Sequence, residues 1–310
     1  MKNPANIPDP GYDVTGAVDL HVHCGPEGIP RRFDAVSLAR HVRETGLGGV
    51  VLKSHMTATG SWAQMAHDVT GVRLHGSVVL NHYVGGINPA AVRGALGPSA
   101  NGEPYLKVVW LPTVHAAAHL TARHHEGERY DIPPEWCGGT VSPLARRLGE
   151  VEPINILAAH LRPPLDEILR IAADHDLVLA TGHVGRDEVF YVMERARALG
   201  VRKVIVTHPC YDPPAIGVPE LVELAGAGAY VELSFILVDM GLVSFKETAS
   251  ILTQAGAERT ILSTDVGQVD RAAPAEGLAR LGAGLLAEGI PREDIDTAMK
   301  GNPRFLVERC

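Results

Sequence analysis

The chain has 310 residues, 45% hydrophobic and 21% charged, with 33 Gly and 22 Pro; that is enough apolar material for a large core and too little Gly and Pro for a collagenous or low-complexity chain. The formal net charge is −8, and no stretch gathers Lys and Arg into the basic stripe that a phosphate backbone requires, so nucleic acid is excluded as an expected partner. Cys24, Cys137, Cys210 and Cys310 stand far apart with no C-x-x-C pair, and neither an apolar leader nor a long apolar run is present; the expectation is a cytoplasmic protein without disulfides or a membrane partner.

Short apolar, β-branched runs bounded by turn residues recur at 17–22, 49–54, 77–81, 106–111, 177–182, 203–207, 229–234 and 260–264. Most precede a helical pattern. Asp34 reads as the N-cap of AVSLARHVRE, with Gly46 beyond its end, and RDEVFYVMERARALG closes on Gly200. Nearly continuous hydrophobic runs, rather than alternating ones, indicate a parallel sheet covered by helices. Eight strand–helix units predict an α/β chain folded as a (β/α)8 TIM barrel, one domain over residues 1–310, with a doubly wound open sheet as the alternative. The step from the fourth run to the fifth is 71 residues, far beyond the βα period. The extra segment, 113–153, is rich in His, Gly and Pro and is expected to be a lid over the barrel mouth.

Several of the fifteen histidines stand at the ends of these runs. The first ends Asp19-Leu20-His21-Val22-His23, and residues i and i+2 of a strand share a face, so both imidazoles can reach one point. His183 follows the fifth run, His208 the sixth and Asp265 the eighth. A barrel brings all its strand ends to one mouth, and these residue types make up the N/O donor set that zinc prefers, with manganese or iron as alternatives. Such an ion lowers the pKa of its water to about 7 and polarises a carbonyl, while a nearby carboxylate shuttles the proton.

This placement, H-x-H after the first strand, His after the fifth and sixth, and Asp after the eighth, resembles the amidohydrolase superfamily of metal-dependent barrel hydrolases. The closing Gly301-Asn302-Pro303-Arg304-Phe305-Leu306 is similar to that superfamily's usual ending. The resemblance implies that His21, His23 and Asp265 hold one metal. It implies that His183 and His208 hold a second or that, in a one-metal site, His183 joins the first set and His208 bonds substrate or water. Asp265 would act as general base and then acid. The implied reaction is hydrolysis of an amide, lactam, imide, lactone or similar bond in a small molecule; a mononuclear decarboxylation is the alternative within the superfamily.

The family commonly bridges two metals with a carboxylated Lys on strand four, where this chain reads LPTVHA. Lys53, at the end of the second run, is open to three readings: a bridging carbamate, a catalytic or substrate-facing group, or no role in the site. The stretch around Lys53-Ser54-His55 also resembles the phosphoesterases of the polymerase-and-histidinol-phosphatase type. Those usually carry T-D-H there and a closing Asp-x-His, which Asp265-Val266-Gly267 lacks. Arg31, Arg32 and Arg186 are candidates for a substrate carboxylate, and His55 and His115 for the substrate pocket; each is also read as an ordinary loop or surface residue. His119, His124 and His125 share the lid with His115 and could close over substrate or contribute a ligand, with polar loop filler as their alternative. A small molecule is the expected partner, and a homo-oligomer is compatible with the sequence. A barrel that keeps the ligands only as a binding module is the non-enzyme reading; it predicts bound metal without turnover.

Overall fold

In the computed structural model, which describes residues 11–308, eight parallel strands form a ring: β1 (Val18–His23), β2 (Gly49–Lys53), β3 (Gly76–Val79), β4 (Leu106–Trp110), β5 (Val178–Ala180), β6 (Val204–Val206), β7 (Tyr230–Ser234) and β8 (Thr260–Ser263). Each falls within a residue or so of an apolar run of the sequence. Continuous ladders join β1 to β2 and run from β3 through to β8. Two single parallel bridges close the circle, Val51 with His75 between β2 and β3, and Val22 with Val266 between β8 and β1. The second is reinforced by His23 N donating to Val266 O at 2.8 Å and Asp265 N to His21 O at 2.9 Å. The ring is therefore a (β/α)8 barrel, as the periodicity predicts. Cys310 and the first ten residues, which include most of the stretch read for a leader, lie outside the described residues.

Two apolar layers fill it. Val18, Leu20, Val51, Val108, Trp110 and Ile261 pack inside the barrel, and a larger layer lies between the strands and the outer helices. The helices start and stop where the sequence places their caps. Helix α1 (Ala35–Thr45) has Asp34 accepting from Ser37 N at 2.7 Å and ends at Gly46 with φ +72°. The closing motif has a structural task. Asn302 donates to the carbonyls of Ala257 and Thr260 at 2.8 and 2.7 Å, and Leu306 joins the inner layer with Val307.

The register of β1 against β2 slips between Asp19 and Val22. Across this slip the inward parity passes from Val18 and Leu20, in the inner layer, to His21 and His23. Without it the period of two would aim Leu20 and Val22, not the histidines, into the mouth.

The inserted segment continues past residue 153 to the start of the helix Arg162–Asp174, because 154–161 hold an isolated bridge from Ile154 to Ala116, turns and a single 3-10 turn (Ala159–Leu161) instead of the next barrel strand. It contains helix α4 (Ala117–His125), which packs against the mouth through His119.

Candidate metal centre

His21 is fully buried and held at both ring nitrogens. Its Nδ1 donates to Glu232 Oε1 at 3.0 Å, from β7, and Nε2 lies 2.9 Å from Asp265 Oδ1 and 2.7 Å from Lys53 Nζ. Trp110 packs its ring 4.6 Å from that of His21. His23 Nε2 is 3.0 Å from the same Asp265 Oδ1. The ligand atoms of His21, His23 and Asp265 all lie within 4.8 Å of one another, and this is the only such group of three His, Cys, Asp or Glu residues among the described residues. Each sits at a strand end, where the barrel directs it inward.

The electrostatics suit a cation. Burial works against the charge on Asp265, but His21 and His23 outweigh it and hold the carboxyl well below its usual range. Burial also opposes charge on His21, yet Asp265 and Glu232 raise it above its ordinary value. The proton they attract to Nε2 stands where a cation would stand, and Glu232 fixes the Nδ1–H tautomer that leaves Nε2 free to ligate. Burial, aided by Arg31, pushes His23 well below 6.5. Burial lowers Lys53 to about 8.

Around this group stand neutral imidazoles. Burial lowers His208 to about 4 and His183 well below 6.5, the latter helped by His119 and His208. His208 Nε2 is 3.9 Å from Asp265 Oδ2, and its backbone N–H donates to Glu232 Oε2 at 3.1 Å. His183 Nδ1 lies 3.0 Å from His119 Nδ1. His208 and Asp265 both have left-handed backbone, at φ +24° and +54°, a conformation that concentrates at functional sites. Gly182, at φ +61°, places His183. A Cβ there would come within 2.4 Å of Leu111 O.

The cavity over these groups holds about 710 Å³ including its open mouth, and Ile29, Trp136, Tyr211, Leu237 and Met240 line its sides. His55 faces it, with Nδ1 2.9 Å from Thr113 Oγ1 and its ring 4.7 Å from His23. Arg31 also lines it, but its Nε is engaged by Glu27 at 2.5 Å and its Nη2 lies 3.2 Å from His23 Nδ1.

Other sequence candidates lie elsewhere. Arg32 donates to Arg271 O at 2.9 Å on an exposed face. Arg186 is exposed and pairs with Glu220 and Asp187. His115 is spent inside the insertion, between Asp131 at 2.8 Å and the backbone N–H of His82 at 3.0 Å. These three are corrected from pocket candidates to surface or scaffold residues, because backbone direction and local pairing carry them away from the cavity. Cys24 is a buried thiol pushed up to about 12 by burial. Glu232, on β7, points inward to His21. His119, read from the sequence as a lid histidine that could close over substrate or contribute a ligand, is in the cavity wall. Trp136 and Tyr211 carry no sequence signal that singles them out.

Residues 16–232 match the model of a family of unknown function (DUF6282), and the chain belongs to that family. No curated protein matches the sequence. Among solved structures, the chain is similar to a Pseudomonas putida protein named for 2-pyrone-4,6-dicarboxylic acid hydrolysis, at TM-score 0.56 and 14% identity over 95% of this chain and 97% of that one. It is similar to an amidohydrolase from Pseudomonas aeruginosa, at TM-score 0.53 and 11% identity over 94% and 97%. It is also similar to the organophosphorus hydrolase of Deinococcus radiodurans, at TM-score 0.53 and 13% identity over 96% and 93%. These neighbours are amidohydrolase-superfamily barrels, and at such identities the shared property is the fold.

Proposed function

We propose that this protein is a metal-dependent hydrolase of the amidohydrolase type, cleaving an amide, lactam, imide, lactone or similar bond of a small molecule at the barrel mouth. The observation that carries the reading is the convergence of His21, His23 and Asp265, from strands at opposite ends of the chain, with Glu232 fixing the tautomer of His21. These three residues would hold the ion, with zinc favoured by the mixed imidazole and carboxylate donors. A divalent ion there would polarise a substrate carbonyl and make water nucleophilic near neutral pH.

The chain's own residues supply the rest. Asp265 Oδ2, directed toward His208, is the acceptor for the proton released from water and returns it to the leaving group. His208, neutral and next to that oxygen, donates to the substrate. Lys53 lies against His21 Nε2 with its Nζ 4.3 Å from the Trp110 ring, and it balances the carboxylates of the site. The apolar walls, with Trp136 supplied by the insertion, exclude bulk water from the reacting bond, so the insertion acts as a lid. Residence in a reducing compartment such as the cytoplasm belongs to the same reading, in keeping with the three free cysteines described, Cys24, Cys137 and Cys210. Among the described residues, no helix is long and apolar enough to cross a membrane.

The test is metal content of protein purified without chelator, followed by turnover of a panel of lactones, cyclic imides and N-acyl amides. Bound zinc, with hydrolysis lost in Asp265→Asn, is the expected result. Protein that binds no zinc or manganese after reconstitution, or an Asp265→Asn variant with full hydrolysis, defeats the proposal.

A further inference from the structure

We infer that Arg31 is a brake on metal loading: it holds His23 in the tautomer that cannot ligate through Nε2, and so sets the affinity of the centre below what its ligands alone would give. Arg31 Nη2 lies 3.2 Å from His23 Nδ1. A guanidinium only donates, so Nδ1 is the accepting nitrogen and the proton of the neutral ring sits on Nε2. There it donates to Asp265 Oδ1 at 3.0 Å. A cation taken up at Nε2 moves the ring proton to Nδ1, where it meets the N–H of Arg31 donor against donor. His21 is arranged the opposite way, since Glu232 accepts from its Nδ1 at 3.0 Å. One ligand is prepared for a cation and the other is held from it.

The arginine is fixed from behind. Its Nε donates to Glu27 Oε1 at 2.5 Å, and Glu27 Oε2 accepts from Ser54 Oγ at 2.6 Å and from His55 N at 3.1 Å. Arg31 and His23 both line the cavity, so the guanidinium has open volume to turn into when a cation binds. The alternative is that His23 ligates as an imidazolate; Arg31 then stabilises the bound state, and its removal weakens binding. The inference rests on the reading of the mouth as a metal centre, and the experiment separates the two.

Zinc affinity is measured by competition with a chromophoric chelator in the wild type, Arg31→Lys and Arg31→Met. Arg31→Lys keeps a positive charge for the buried Glu27, which protects the fold, and removes the forked donor from His23. Both variants are expected to bind zinc about tenfold more tightly, an effect of the size that an outer partner of a ligand exerts. A gain in affinity would not arise from a merely structural role for Arg31. Nuclear magnetic resonance of protein with heavy-nitrogen-labelled histidine reads the tautomer, with His23 assigned by its absence from His23→Gln. The ring proton is expected on Nε2 in metal-free wild type and on Nδ1 once zinc is bound. Unchanged or weaker affinity in Arg31→Lys overturns the brake, as does a gain confined to Arg31→Met, which is the loss of a charge alone. A zinc-bound His23 with no proton on Nδ1 overturns it in favour of the imidazolate. Zinc bound by none of the three proteins defeats the metal centre itself.

Discussion

Replacing Glu232 by Gln isolates what a buried carboxylate does for the metal centre, since the side chain keeps its shape and loses its charge. Glu232 Oε1 accepts from His21 Nδ1 at 3.0 Å and from Ser263 Oγ at 2.8 Å, and Oε2 accepts from His208 N at 3.1 Å. An amide can satisfy only one of these sides. With its NH2 toward His21, it forces the imidazole to protonate at Nε2, which removes the lone pair aimed at the cation. Turned the other way, it sets one donor against the His208 N–H, and an unsatisfied buried donor costs about 1–3 kcal/mol of stability. Loss of such an outer partner lowers metal affinity about 10- to 100-fold, which is about 1.4–2.7 kcal/mol. Competition between the protein and a chromophoric chelator for zinc measures this directly, with far-ultraviolet circular dichroism as the check on folding. A folded Glu232→Gln variant whose zinc affinity stays within about twofold of wild type would refute the argument that Glu232 prepares His21.

Two further outcomes are expected. Gly182→Ala should destabilise the chain by about 2 kcal/mol or more and weaken whatever His183 binds, because the new Cβ meets Leu111 O and Pro112 O in a left-handed backbone; urea unfolding reads the first effect, and a loss under about 0.5 kcal/mol would contradict it. His75, buried where β3 begins, is lowered to about 3 by burial with help from Lys107 and Arg73. Its folded pKa lies below the unfolded value, so its contribution is complete above about pH 6.5 and is lost as the pH falls. Between pH 6.5 and 5 that loss is about 1.6 kcal/mol in metal-free protein, and a His75→Leu variant should show a pH dependence of urea stability shallower by that amount. An unchanged slope would mean that His75 takes up a proton in the folded state.

The sequence by itself determined the barrel and the positions of the residues that could ligate. Strand identity, capping and the βα period are local properties, written in apolar runs and in residues such as Asp34, Gly46 and Gly200. Their placement was legible even across the long insertion. The strand ends carrying His21, His23, His183, His208 and Asp265 were legible for the same reason, because a barrel sends all such ends to one mouth. Only the tertiary structure decided which side chains meet. The slip in β1 that turns His21 and His23 inward depends on how that strand pairs with β2. Glu232 finds His21 across 211 residues, and His119 finds His183 across 64. Arg32, Arg186 and His115 have the residue types of a binding site, yet nearby carbonyls and carboxylates satisfy them away from the cavity. Periodicity records which face of an element a residue occupies. Contacts between distant segments follow from packing and pairing, which composition and spacing do not encode.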